Sequence, residues 1–404
     1  MMDYCFIAGR ALLLTLAALS VSTAHAAQAL KTYNVDPEQI SVSGLSSGGY
    51  MAVQMHVAFS ASVMGAGVLA AGPYFCAEGN VLYATTRCLN SGVSLLPPGE
   101  YFQDLTEELS DAGRIDSTAG MAGDRVWLFT GGADDVVATP VVDRLRAFYE
   151  SFVDAGNIVY LRNQIPDAQH AMITDDYGKP CGFEGGAYIN DCDFDAAGAL
   201  LKHIYGELKP PVEAPPAHLK TFDQSPFSGT DSLGAEGFVY VPSDCESGDA
   251  GCRLHVAFHG CRQNRNVIGD EYARHAGYNE WAEANDVVVL YPQTESTAVN
   301  QCWDWWGYTD GGVEWNYATR SGLQMAAVRA MIGRVAGEPR SGYCGADSIA
   351  AHVAAGRAYS QVYWWLWDFY YASGSNDYLG WLESARVTLK QVKPGAFEVA
   401  SACP

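Results

Sequence analysis

Short apolar runs alternate with amphipathic stretches through the first half of the chain. Gln39 to Gly44 (QISVSG) is rich in β-formers, and after a Gly-Ser turn the stretch Tyr50 to Phe59 carries apolar residues at helical spacing. Val63 to Ala71 and Arg125 to Thr130 (RVWLFT) read as buried strands, the second followed by a loop and a helix around Val141 to Phe152. Asn157 to Arg162 (NIVYLR) is a fourth strand, and a helix from Phe194 to Tyr205 closes the segment. Strands alternating with helices predict an α/β fold, a mainly parallel sheet covered by helices on both faces.

The pattern lapses from Gly206 to Phe227, where Pro210, Pro211, Pro215 and Pro216 interrupt a stretch without periodicity, and this reads as a semi-rigid surface connection. Strands then resume at Gly237 to Val241, Leu254 to Phe258 and Val287 to Tyr291. A helix is predicted over Glu271 to Ala284 and a long one over Trp315 to Val335. The remainder, 337–404, holds a dense aromatic cluster from Tyr359 to Tyr371 that no single amphipathic face accommodates. There are no internal repeats and no low-complexity tract.

Composition narrows the function classes. The 404 residues are 49% apolar and 17% charged, which describes a globular chain too long for one small domain. Acidic residues outnumber basic ones 46 to 24 for a formal charge of -22, so neither nucleic acid nor an anionic membrane is an expected partner. Residues 1–26 combine Arg10, the apolar run Ala11 to Leu19 and Ala24-His25-Ala26, the pattern of a cleavable export signal. An exported protein, outside the cell or in the periplasm, is therefore expected. Discarding Cys5 leaves an even set of cysteines, and disulfides are the natural reading in an oxidising compartment. Close spacing suggests Cys76 with Cys88, Cys181 with Cys192 and Cys245 with Cys252, which leaves Cys261 with Cys302 and Cys344 with Cys403, though spacing proves no connectivity. No Cys-x-x-Cys pair is present, and no metal or cofactor is expected.

Gly44-Leu45-Ser46-Ser47-Gly48 fits G-x-S-x-G, and its place between a strand and a helix gives the match weight, because a nucleophile elbow needs a sharp turn with glycines where side chains would clash. Ser46 is the candidate nucleophile, and the N–H of Ser47 would face an oxyanion at the helix N-terminus. A serine hydroxyl needs a histidine to take its proton and a carboxylate to fix that histidine's tautomer. Asp134 sits in Gly131-Gly132-Ala133-Asp134-Asp135 at the C-terminal end of a strand, with Asp135 as the runner-up. His170, in Asp167-Ala168-Gln169-His170, follows the next strand and completes the order Ser, Asp, His. His203 in a helix and His255 within a strand read as structural.

A second oxyanion donor normally comes from a loop that precedes the nucleophile in sequence. Here the loop with that look, His259-Gly260-Cys261, follows Leu254 to Phe258, far downstream of Ser46. The early strands of the usual hydrolase sheet would then follow the late ones, a circular permutation that keeps the site. GLSSGGYMA at 44–52, GADDVV at 132–137, QHAM at 169–172, HGC at 259–261 and CWDWWGY at 302–308 together resemble the secreted poly(3-hydroxybutyrate) depolymerases with a permuted α/β-hydrolase catalytic domain. The resemblance spans about residues 30–336. It implies a serine esterase acting on polyhydroxyalkanoate through an acyl-enzyme, with Ser46, Asp134 and His170 as triad and the N–H groups of Ser47 and Cys261 as oxyanion hole.

The expected organisation is a signal at 1–26, a permuted catalytic domain at 27–336 and an extension at 337–404. No Thr-rich or fibronectin-like linker and no separate carboxy-terminal binding domain follow, so substrate contact is expected near the catalytic mouth, at Tyr50, Trp303, Trp305 and Trp306. Two other readings keep the same residues: a feruloyl or acetylxylan carbohydrate esterase on the same triad, and a secreted binding protein on an inactive scaffold.

Overall fold

Val287–Tyr291 (VVVLY) is buried at every position, which only a strand with neighbours on both edges and cover on both faces can be. It lies inside a nine-stranded sheet. The structure is a computed structural model that describes residues 27–401 apart from 91, 228–232, 249–250, 310–314, 338–343, 355–356, 364–366 and 394–395. The expected export signal, 1–26, lies outside the described residues. In chain order the sheet strands are β1 (Gln28–Ala29), β2 (Ile40–Leu45), β3 (Gly65–Leu69), β4 (Arg125–Thr130) and β5 (Ile158–Arg162), then β6 (Leu219–Asp223), β7 (Glu236–Tyr240), β8 (Arg253–Phe258) and β9 (Val287–Tyr291). In space they run β1-β6-β7-β9-β8-β2-β3-β4-β5.

The six strands from β9 to β5 are parallel, and β7 pairs antiparallel with both β9 and β6. At the centre β2 pairs with β8 in the register Ile40 to Leu254 through Gly44 to Phe258, so a strand from the start of the chain lies beside one from its second half. The sheet is that of an α/β hydrolase with its two halves exchanged in sequence. The longer helices are α1 (Ser47–Ala58), α2 (Gly99–Asp111), α3 (Thr139–Tyr149), α4 (Ala196–Tyr205), α5 (Tyr278–Asn285) and α6 (Leu323–Ala336). Every residue of α1 is buried, polar Gln54 and His56 included, and each of these finds a partner: Gln54 Nε2 donates to Asp304 O at 3.0 Å, and the His56 nitrogens lie 3.0 Å from Asp124 Oδ2 and 3.1 Å from Tyr149 OH.

The chain differs from the periodicity reading in four places. The stretch 206–227 is not all connection, because it contributes β6, where only Phe222 is buried and no apolar run marks the strand. Helix α2 turns a narrow stripe of Phe102, Thr106 and Leu109 inward, too sparse a signal beside its acidic face. The helix predicted over Glu271 to Ala284 is two, Glu271–His275 and α5, divided at Gly277 in the left-handed region (φ 85°). The long helix predicted from Trp315 begins only at Leu323, after a turn over Asn316–Ala318.

Past α6 the described residues form two small antiparallel sheets. One joins Cys344–Ser348, Arg386–Lys393 and Ala396–Val399; the other joins Ala358–Tyr363, Trp367–Ala372 and Tyr378–Gly380. They enclose an apolar cluster of their own, including Ile349, Tyr370, Leu379, Leu389 and Phe397. The aromatic cluster at 359–371 is thus mostly a β-hairpin that pairs Ala358–Tyr363 with Trp367–Ala372, and Trp364 and Trp365 lie outside the described residues. Disulfides join Cys76–Cys88, Cys181–Cys192, Cys245–Cys252 and Cys261–Cys302. The expected Cys344–Cys403 pair involves Cys403, outside the described residues. Among the described residues no helix is long and apolar enough to cross a membrane.

Candidate active site

Ser46 is the single residue between β2 and α1, and its backbone sits at φ 57° and ψ -123°. A non-glycine residue there costs about 1–3 kcal/mol, which the packing around it must offset. That packing explains the flanking glycines. A methyl group on Gly44 would lie 2.8 Å from the Phe258 carbonyl oxygen, and one on Gly48 would collide with the carbonyls of Phe258 and His259. The Ser46 N–H donates to Leu69 O at 2.9 Å, and the Ser46 carbonyl accepts the Tyr50 N–H at 2.9 Å, so the elbow is fixed from both sides.

The loop after β4 carries Asp134. Its Oδ1 accepts the N–H groups of Val136 and Val137 at 3.0 and 2.9 Å, and its Oδ2 lies 2.9 Å from Nδ1 of His170. With side-chain exposures of 1% for Asp134 and 6% for His170, this pair is withdrawn from water. Asp135 is exposed. The loops that carry the two residues are bonded along the backbone, Gly132 N–H to Ile165 O and Ala133 N–H to Ala168 O, both at 3.0 Å. A side chain on Gly131 would meet the Ala168 carbonyl, so the Gly-Gly before Ala133 lets the loops touch. Behind His170, the Cys181–Cys192 disulfide and the strand pairing of Met172–Thr174 with Ile189–Asp191 brace the loop.

The turn His259-Gly260-Cys261 leaves the end of β8 and packs on the elbow: a Cβ on Gly260 would lie 3.5 Å from the Cβ of Ser46. Gly260 is held on both sides, its N–H donating to Gln263 Oε1 at 2.6 Å and its carbonyl 2.7 Å from Nδ1 of His259. Gln263 Nε2 donates in turn to Ala187 O at 2.7 Å and Tyr188 O at 3.0 Å. Gln263 was not singled out in the sequence, where nothing but its place two residues after HGC marks it. Ser47 begins α1, and its hydroxyl accepts the Trp303 N–H at 3.4 Å.

The Cys261–Cys302 disulfide ties this turn to the aromatic segment that follows Cys302. Buried Asp304 organises that segment: Oδ1 accepts the N–H groups of Gly307 at 2.7 Å and Tyr308 at 3.0 Å, and Oδ2 accepts that of Thr309 at 2.9 Å. The aromatic side chains expected to line a crevice are placed differently from that expectation. Trp303 is fully buried against Phe258 and His259, and Trp305 is buried in a parallel stack on Tyr50 with ring centroids 4.0 Å apart. Tyr50 itself is buried, its hydroxyl bonded to the Cys88 carbonyl. Their indole and phenol faces are used up in packing. Only Trp306, set edge-on to Trp305, keeps partial exposure.

His203 and His255 lie away from this constellation in structural settings. His203 Nε2 lies 2.8 Å from Asn157 O, and His255 is fully buried between Ser41 Oγ and Ser43 Oγ at 2.7 and 2.6 Å. Among the described residues no group of His, Cys, Asp and Glu side chains is arranged to hold a metal ion.

No protein-family model matches the chain. A poly(3-hydroxybutyrate) depolymerase of Delftia acidovorans is 45% identical over 338 residues, 83% of this chain and 67% of that protein. A polyhydroxybutyrate depolymerase of Talaromyces funiculosus is 34% identical over 328 residues, 77% of this chain and 93% of that protein. Among solved structures, a serine-to-alanine PHB depolymerase variant complexed with an R3HB trimer matches with a TM-score of 0.71 at 34% identity, covering 77% of this chain and 99% of that one. The crystal structure of the PHB depolymerase from Penicillium funiculosum matches with a TM-score of 0.69 at 33% identity and the same coverage. With the elbow, the permuted sheet and relatives of this similarity in agreement, the chain belongs to the poly(3-hydroxybutyrate) depolymerase family.

Proposed function

We propose that this protein is an exported serine hydrolase that cleaves the ester bonds of poly(3-hydroxybutyrate), or a similar polyhydroxyalkanoate, to soluble products. The observation that carries this reading is the buried 2.9 Å contact between Asp134 Oδ2 and His170 Nδ1, on two loops at the C-terminal ends of parallel strands. An acceptor at Nδ1 fixes the tautomer in which Nε2 is bare and able to take a proton. Ser46 Oγ attacks the ester carbonyl as His170 Nε2 removes its proton. His170 then returns that proton to the departing hydroxyl end of the polymer, leaving an acyl-enzyme on Ser46. Water, deprotonated by His170, releases the acid and restores Ser46. The N–H groups of Ser47 and Cys261 receive the negative charge that develops on the carbonyl oxygen.

An insoluble polyester must meet a surface. Leu82 and Leu95, 61% and 74% exposed, stand with Val81 and Tyr83 in the region around Cys88, Val81 to Tyr83 inside the loop closed by the Cys76–Cys88 disulfide and Leu95 just beyond it. That region adjoins the Asp134 loop through Asn90 Nδ2, which donates to Asp135 O at 2.6 Å, and through Ala138 N–H, which donates to Leu89 O at 3.1 Å. These side chains and Trp306 are assigned to polymer contact, with Tyr50, Trp303 and Trp305 as buried support. Four disulfides among the described residues support export to an oxidising compartment.

The test is clearing of a turbid suspension of amorphous poly(3-hydroxybutyrate), followed together with soluble 3-hydroxybutyrate, for the mature protein beside Ser46→Ala. Clearing by the parent alone is expected. Clearing by both would remove Ser46 as nucleophile, and cleavage of a soluble ester without clearing would move the substrate to a short or carbohydrate-linked ester.

A further inference from the structure

The peptide between Gly260 and Cys261 is gripped more tightly than a surface turn requires. Its carbonyl oxygen belongs to Gly260 and its N–H to Cys261, and in a planar trans peptide these point in opposite directions, so whatever holds the oxygen aims the N–H. Two groups hold it: His259 Nδ1 at 2.7 Å, and the Gln263 N–H at 3.3 Å. A third bond steadies the preceding peptide, the Gly260 N–H donating to Gln263 Oε1 at 2.6 Å.

The chemistry of His259 is settled by its surroundings. It is fully buried, and burial pushes its pKa down to about 4, so the ring is neutral and carries one proton. A carbonyl can only accept, so that proton is on Nδ1, facing Gly260 O. Nε2 is then a bare acceptor, and the Thr294 N–H lies on that side at 3.4 Å. Gln263 is also buried, and its remaining donors reach Ala187 O and Tyr188 O. Tyr188 O accepts the Met172 N–H as well, at 2.8 Å, two residues past His170. One side chain therefore couples the turn at Cys261 to the loop that carries the proposed base.

We propose that His259 and Gln263 are positioning residues for the developing oxyanion: they clamp Gly260 so that the Cys261 N–H stays aimed into the site in register with His170. The inference rests on the reading of Cys261 as an oxyanion donor. Neither side chain touches substrate. Their effect falls on the tetrahedral state, when the carbonyl oxygen gains charge, and not on ester binding.

The experiment measures kcat and KM on a soluble short-chain ester, and inhibition by an alkylboronic acid that forms a tetrahedral adduct on serine, for the parent, Ser46→Ala, His259→Leu, His259→Asn and Gln263→Glu. His259→Leu removes the donor to Gly260 O and is expected to lower kcat by about 100-fold with KM within about twofold, because a slightly misaimed group costs on that order. Boronate affinity falls in parallel. His259→Asn, whose amide can donate from near the Nδ1 position, recovers most of the loss. Gln263→Glu keeps the acceptor for Gly260 N–H and replaces the donor facing two carbonyls; it shows the same kcat-only signature and carries the test if His259→Leu does not fold. Unchanged kcat and boronate affinity in the folded variants, a loss confined to KM, or an Asn variant no better than Leu would overturn the proposal. An inactive parent, or an active Ser46→Ala, would instead overturn the functional reading on which it rests.

Discussion

Asp134 and Asp135 are adjacent and identical in kind, yet only one has a buried side chain whose two oxygens are divided between a pair of backbone N–H groups and the His170 ring. Replacing Asp134 by Asn keeps the shape and removes the charge that fixes the His170 tautomer, so kcat on a soluble ester is expected to fall by about 10⁴-fold. Asp135→Asn should leave kcat within about twofold, since surface substitutions away from such features do little. Steady-state kinetics on both variants decides, and equal losses would undo the choice between them. The sharp turn at Ser46 and the loop positions of Asp134 and His170, which the structure brings into contact, were legible in the sequence because strained turns demand glycines at set spacings and because loops follow strand ends. The packing of the tryptophans was not legible: CWDWW advertises aromatic surface, whereas a single Asp304 curls the segment so that Trp303 and Trp305 turn inward. No local pattern encodes which face a loop presents.

Among the elements, the seam between β2 and β8 carries an unusual polar core. Ser41 and Ser43 of β2 bracket His255 of β8, and Tyr205 and Tyr278 extend the network by bonds of 2.7 Å to Ser41 Oγ and Ser43 Oγ. Burial pushes His255 down to about 3 and His259, just past the end of β8, to about 4. In the unfolded chain both titrate near 6.5. The folded values are the lower ones, so the stability these groups contribute is complete above about pH 6.5 and is withdrawn as pH falls toward 4 and then 3. The melting temperature is expected to drop between pH 6.5 and 5, before most carboxylates protonate, and His255→Gln should flatten that slope while lowering the plateau. An identical slope in both proteins would contradict the assignment. The elements themselves were mostly legible, because β3, β4 and β9 are nearly continuous apolar runs and β2 and β8 are short stretches rich in β-formers. The β6 strand and α2 were not, since a half-exposed edge strand and a helix with a thin apolar stripe bury too few residues to rise above the polar background.

At the scale of the whole molecule the permutation decides how the site is put together. The Pro-rich stretch at 206–217 separates β2 to β5, with Ser46, Asp134 and His170, from β6 to β9, with Cys261. Cutting the chain there leaves two half-sheets, each exposing one side of the β2–β8 seam. Co-refolded fragments are expected to regain esterase activity when mixed, with neither active alone; activity in the first fragment by itself would mean that the second half is dispensable to the site. Synthesis imposes the same division in time. The residues proposed for nucleophile, orienting carboxylate and base leave the ribosome well before the Cys261 turn and before the carbonyls of Phe258 and His259, which pack where side chains at Gly44 and Gly48 would lie. A half-made chain therefore holds the proposed triad, with the Leu69 and Tyr50 bonds that fix Ser46, before the proposed oxyanion donor at Cys261 exists. The order of elements along the chain therefore predicts that a nascent chain ending before β8 hydrolyses no ester, since the turn proposed to complete the oxyanion hole is not yet made.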